Sequence, residues 1–166
     1  MIHEFDEIFV CKKYTNGEAD SFLAVKSIGG GDFFFRNQDD LTGDEYKQIN
    51  VVGVFTKDGR IVVSEDKYLP FTPVIKRDEE YSFQKDNDSV VLQAAKRLTQ
   101  ESKVNVCFLD LKLLGRVEEA DSLNYVYGVE IVDAKEDFEM HIIDTNHLKI
   151  DNETPEFTKM IVSAVC

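Results

Sequence analysis

Long apolar runs are missing from this 166-residue sequence. No stretch approaches the roughly 20 residues that cross a bilayer. The N-terminal Met1-Ile2-His3-Glu4-Phe5-Asp6-Glu7 has neither a basic start nor an apolar signal core. An intracellular, cytoplasmic protein without a membrane role is expected. Cysteine is scarce: Cys11, Cys107 and Cys166 are far apart and lack the close pairing of zinc and redox motifs, so they read as buried or terminal thiols. Positive charge is short, with 19 basic against 32 acidic residues and a net charge of −13. Such a balance repels phosphate backbones and anionic lipid, which argues against ordinary nucleic-acid binding. It suits a basic protein partner or mimicry of nucleic acid, although acidity for solubility alone is the plainer reading. Glycine is absent between Gly59 and Gly115, and the three prolines all follow residue 69. Repeats, low-complexity tracts and Pro/Gly/Ser linkers are absent, so residues 1–166 are expected to form one domain.

What is present is material for a core: 43% apolar residues, with 12 Phe and 6 Tyr. Ile8–Tyr14 and Phe22–Ile28, separated by Thr15-Asn16-Gly17, read as a first hairpin. After Gly29-Gly30-Gly31-Asp32, Phe33-Phe34-Phe35 reads as a buried strand. Ile49–Phe55 and Arg60–Ser64 join through Lys57-Asp58-Gly59 as a second hairpin. Asp88 or Ser89 caps a helix over about 89–102, along which Val91, Ala94, Ala95 and Leu98 recur at helical spacing. Strand-like runs follow at Val104–Leu109, Leu111–Val117, Leu123–Val132 and His141–Ile143. Thr154-Pro155-Glu156 opens a last helix, about 155–165, with Phe157, Met160, Ile161, Ala164 and Val165 as its apolar stripe. This order predicts an α/β (α+β) fold with a mixed sheet covered on both faces.

The central helix carries a family pattern. Asp88-Ser89, the small Ala94, and Lys96-Arg97-Leu98-Thr99-Gln100-Glu101-Ser102-Lys103-Val104 resemble the box of the Nudix (MutT-like) hydrolases. That box has Gly, Glu six positions on, then Arg-Glu-apolar-x-Glu-Glu-x-Gly-apolar. Both apolar slots match, at Leu98 and Val104. A second segment, Arg36-x-x-Asp39-x-x-x-x-Asp44-Glu45-Tyr46-Lys47-Gln48-Ile49, is similar to one upstream of the box in a MutT-related branch of phosphoesterases, where Pro-Tyr usually follows in place of Asn50-Val51. The resemblance spans about residues 8–132 and implies a Nudix-like α/β/α sandwich. Ser82 and Lys103 stand where the box has its glycines, which implies a remodelled phosphate-approaching loop.

The departures bear on chemistry. Positions 97, 100 and 101 share one helix face. A Nudix enzyme fills them with glutamates holding Mg²⁺ or a similar hard cation on oxygen ligands. Here they are Arg97, Gln100 and Glu101. A guanidinium a few ångströms from a divalent cation opposes its binding by on the order of several kcal/mol at an effective dielectric near 20. The plainer reading is an Arg97–Glu101 surface pair at i, i+4, contributing a few tenths of a kcal/mol.

Two functions therefore stay open. The first is a non-catalytic Nudix-fold protein with no cofactor, binding a nucleotide-type ligand through Asp88, Lys96, Arg97, Gln100 and Glu101, or a basic protein partner; a homodimer is compatible with either. The second is a divergent hydrolase of nucleoside diphosphate-linked substrates using Mg²⁺ or Mn²⁺, with Glu101 as catalytic and metal-ligating residue and Glu118 and Glu119 as further metal ligands. Gly29–Asp32 reads as a flexible connection, His141, Asp144 and His147 as ordinary surface groups, and Glu118-Glu119 with Asp121 as a solvated turn.

Overall fold

A computed structural model describes residues 7–12, 21–28, 33–37, 46–72, 75–77, 86–119, 121–146 and 153–165. Among them the elements run β1 (Glu7–Lys12), β2 (Ser21–Ala24), β3 (Phe33–Asn37), β4 (Tyr46–Lys57), β5 (Arg60–Val63), β6 (Phe71–Thr72), α1 (Asn87–Glu101), β7 (Val104–Val106), a 3₁₀ turn (Phe108–Asp110), β8 (Lys112–Glu118), β9 (Ser122–Ala134), β10 (His141–Asp144) and α2 (Glu156–Val165). The sheet is mixed. Its central pair, β4 and β9, is parallel from Gln48 opposite Ser122 to Thr56 opposite Glu130, a pairing that requires a long crossover and has α1 within it. Among the described residues all other strand pairs are antiparallel. The main strand path is β10-β5-β4-β9-β8-β2.

Period-two alternation sorts each central strand between two cores. Ile49, Val51 and Phe55 of β4 and Leu123, Tyr125, Tyr127, Val129 and Ile131 of β9 meet Val90, Val91, Ala94, Ala95 and Leu98 of α1. On the opposite face Val52 and Val54 of β4, Val126 of β9 and Val117 of β8 meet Ile161 and Val162 of α2. The result is a three-layer α/β/α arrangement, as the element order predicts. Asp58 and Gly59, at φ 52° and 75°, make the tight turn of the β4–β5 hairpin, where left-handed backbone favours Asn, Asp and Gly.

Several local expectations are corrected. β1 does not pair with β2: β3 flanks it in one ladder and β4 in another, while β2 lies against β8. The aromatic cluster accounts for the first choice, since the Phe9 ring lies 6.0 Å from Phe33 and 5.0 Å from Phe35. Phe33-Phe34-Phe35 is a strand, but a half-buried one. The cap of α1 is Asp86, whose carboxylate accepts from Ser89 N at 2.7 Å; Asp88 is already in the first turn. Only Val104–Val106 of the next run is extended, the chain then turning at Phe108–Asp110. In α2, Ala164 is exposed, and Thr158 and Val162 fill the buried stripe. Thr15-Asn16-Gly17, Gly29–Asp32, Asp39, Asp44, Glu45, Ser82 and His147 lie outside the described residues.

Candidate functional site

Helix α1 delivers Glu101 to the rim of a pocket. Its stripe of Val90, Val91, Ala94, Ala95 and Leu98 seats it on the sheet. Ser102 ends it, with Ser102 N donating to Leu98 O at 2.9 Å. Lys103 then takes a left-handed φ of 59°, and its N–H donates to Gln100 O at 3.2 Å. This is the glycine position of the box pattern, so the turn that glycine favours is made here by lysine. The side chain of Lys103 pairs with Asp137 at 2.9 Å, which raises the lysine pKa and lowers that of the carboxyl.

Beyond this turn opens a pocket of about 430 Å³. Glu101, Ser102 and Lys103 line one side, Glu139 and Met140 another, and Tyr68, Leu69, Pro70 and Phe71 a third. Phe71 is held by pairing of β6 with Val52 of β4, and Pro70 O accepts from Gly53 N at 2.8 Å. Phe71 is nonetheless 54% exposed, and Tyr68 49%. Two large aromatic residues thus stand in solvent on a fixed backbone.

The other side of this aromatic segment faces a second cleft, about 250 Å³, shared by Tyr68, Leu69 and Phe71 with Asn50, Val52, Glu119, Asn124 and Phe157. Its polar floor is prearranged. Asn50 Nδ2 donates to Asn124 Oδ1 at 3.1 Å, and Asn124 Nδ2 donates to Glu119 Oε1 at 3.0 Å and Val117 O at 3.2 Å. Such bonds fix which edge of each amide faces the cleft.

On the opposite sheet face, Lys47 is buried, and its ammonium donates to Glu118 Oε1 at 2.7 Å and Glu119 O at 2.9 Å. Cys11, its partner across the β1–β4 ladder, is also buried. Burial pushes its thiol from 9.0 up to about 11, against the lowering effect of the Lys47 charge.

The residues singled out from sequence therefore do not converge. Asp88 and Glu101 lie at opposite ends of α1, about 20 Å apart at the helical rise. Asp88 Oδ1 accepts from Ile28 N at 2.8 Å, tying the helix start to the segment after β2. Lys96 and Arg97 are half-buried and Gln100 is exposed, and none of them lines the pocket of Glu101. Glu118 is held by Lys47 and Glu119 by Asn124, and neither reaches that pocket. Among the described residues no three His, Cys, Asp or Glu are grouped to hold a metal ion. His141 is exposed on β10, and Asp144 accepts from Asn146 N at 3.0 Å.

Sequence reasoning missed Lys47, Asn50, Asn124, Glu139 and the aromatic segment. A signal existed for some of them. Asn124 interrupts an apolar strand between Leu123 and Tyr125, and Lys47 precedes one, where an unsatisfied polar group would be costly.

No protein-family model matches the sequence, and no curated protein matches it. Among solved structures the chain is similar to Tm1382, a proposed Nudix hydrolase, at 16% identity and a TM-score of 0.68, over 95% of this chain and 98% of that one. Among the described residues no helix is long and apolar enough to cross a membrane. A mixed sheet between two helices, a box-like helix with its turn, and this structural likeness together give the chain a Nudix-like fold.

Proposed function

We propose that this chain is a Nudix-fold binding protein whose ancestral hydrolase site is lost or strongly impaired, and that its ligand is of nucleotide type. One observation carries the reading. The helix face that would hold a divalent cation is Arg97, Gln100 and Glu101, and the further carboxylates the resemblance offered, Glu118 and Glu119, are bonded to Lys47 and Asn124. Glu139 is the other carboxylate lining Glu101's pocket, together with the cation Lys103. A hard divalent ion seeks about six oxygen ligands, and this donor set does not fit it.

The cleft of Asn50 and Asn124 supports the ligand class. Tyr68, Phe71 and Phe157 offer surfaces on which a heteroaromatic ring can stack, beside the polar network of Asn50, Asn124 and Glu119. The alternative, a divergent Mg²⁺- or Mn²⁺-dependent hydrolase with Glu101 as ligand and base, is favoured by the survival of Glu101 and of the left-handed turn after it. The deciding assay measures phosphate and pyrophosphate release from nucleoside triphosphates, dinucleotides and nucleotide sugars with Mg²⁺ or Mn²⁺, in wild type and Glu101→Gln. No release above the variant's background is expected, alongside calorimetric binding of at least one nucleotide that Asn124→Ala weakens. Metal-dependent turnover abolished by Glu101→Gln would overturn the binding reading.

A further inference from the structure

The pocket beyond α1 has the chemistry of a cation receptor. Glu101 and Glu139 line it, and both are exposed at its rim. The carbonyl end of α1, the negative end of a helix dipole, lies at the same place: Ser102 and Lys103 follow directly on the last turn and line the pocket. Lys103 offsets only part of this field: its ammonium pairs with Asp137 at 2.9 Å and is also attracted by Glu139, so Glu101, Asp137 and Glu139 outnumber it by two negative charges. The remaining wall is apolar and aromatic, made of Leu69, Phe71, Tyr68 and Met140. Carboxylates beside exposed aromatic rings bind an organic cation on an apolar stem: the head finds charge and ring faces, the methylenes find the hydrophobic wall. A hard metal ion gains nothing from that wall. The volume of about 430 Å³ falls within the roughly 300–1,000 Å³ usual for ligand pockets.

We propose that this pocket receives a lysine or arginine side chain of a basic protein partner. The net charge of −13 supplies the long-range complementarity that would bring such a partner in. The inference deepens the binding reading and rests on its premise that Glu101 holds no metal. The two can fail separately, because Glu139 has no part in the nucleotide cleft.

The test is binding of a fluorescein-labelled peptide of alternating arginine and glycine to the full chain at about 0.15 M salt, where exposed long-range charge is largely screened. Glu101→Gln with Glu139→Gln is expected to weaken binding about tenfold, as for loss of hydrogen bonds between charged groups. Phe71→Leu, which keeps apolar surface but removes the ring, should weaken it about threefold. Asp110→Asn, an exposed carboxylate outside the pocket, should change it less than about twofold. Glu139→Gln alone should leave nucleotide binding unaltered. Equal losses in Asp110→Asn and the pocket variants would reduce the effect to bulk charge and overturn the proposal. So would displacement of the peptide by millimolar Mg²⁺ at constant ionic strength, which would make the pocket a metal site.

Discussion

Lys47 shows most sharply what a single residue contributes. Its ammonium is taken out of water, with 7% of the side chain exposed, and is compensated by Glu118, itself 21% exposed. Removing one partner of such a pair leaves a poorly solvated charge behind. Lys47→Met is therefore expected to lower the unfolding free energy by about 3 kcal/mol, and Lys47→Met with Glu118→Gln by less, both read from urea transitions. Equal costs in the single and double variants would mean that the lysine stem, and not its charge, is what matters. Cys11 beside it gives a pH signature. Its folded pKa, about 11, lies above the ordinary 9.0, so the folded state keeps its proton longer than the unfolded chain does. Stability from this group is complete below about pH 9 and declines as pH rises towards 11, by about 2–3 kcal/mol over the window. Tyr125, pushed from 10.0 to about 12 by burial, extends the decline upward. Cys11→Ala should flatten the lower part of that slope even if it reduces stability at neutral pH.

At the scale of elements, α1 is fixed by groups at its two ends. The carboxyl of Asp86 is held below its ordinary 3.8 by the bond from Ser89 N. Its stabilising effect is present above 3.8 and is lost as pH falls through the lowered folded value. Asp86→Ala should lower the thermal midpoint near neutral pH, and Asp86→Asn, which still accepts the bond, should lower it much less. Asp88→Ala should instead free the segment around Ile28, seen as faster amide exchange there with the helix start still protected. At the far end, Lys103→Gly relieves a left-handed lysine and should raise the midpoint by about 2–4 °C. Elements whose signals are local were legible in the sequence: the Asp58-Gly59 hairpin, the apolar stripe of α1 and the Pro155 start of α2. The β1–β2 hairpin was not, because an apolar run announces a strand but not its neighbour. Phe33 and Phe35 arrive later in the chain and compete for the same edge of β1. The capping residue was displaced by two for a similar reason: Asp86 and Asp88 carry the same side chain, and only the bond to Ile28 shows that Asp88 is used elsewhere.

For the whole molecule, the spacing of the box-like helix made the fold legible, whereas the candidate sites depended on which distant strands meet. Glu101 was visible as the surviving carboxylate of its face. Its pocket was not, since Glu139 and the Tyr68–Phe71 wall lie thirty or more residues away in sequence and reach it through the sheet and through contacts such as Lys135 N to Lys103 O and the Lys103–Asp137 pair, which no local signal announces. The charge of −13 acts across all of these parts, and salt separates its two effects. Within the free protein, exposed carboxylates repel one another, so screening should favour the compact state. The Debye length falls from about 30 Å at 0.01 M salt to about 8 Å at 0.15 M. The urea midpoint is therefore expected to rise over that range. The cost of Lys47→Met should hardly change, because that pair is shielded from the solvent ions. Association with a basic peptide should weaken over the same range, while the roughly tenfold difference between wild type and the Glu101 and Glu139 variant persists, because contacts within the pocket are screened less than the surrounding field. A urea midpoint that stays flat with salt would show that the acidic surface does not strain this fold. A difference between wild type and variant that vanishes by 0.15 M would show that the pocket carboxylates act only as part of that surface.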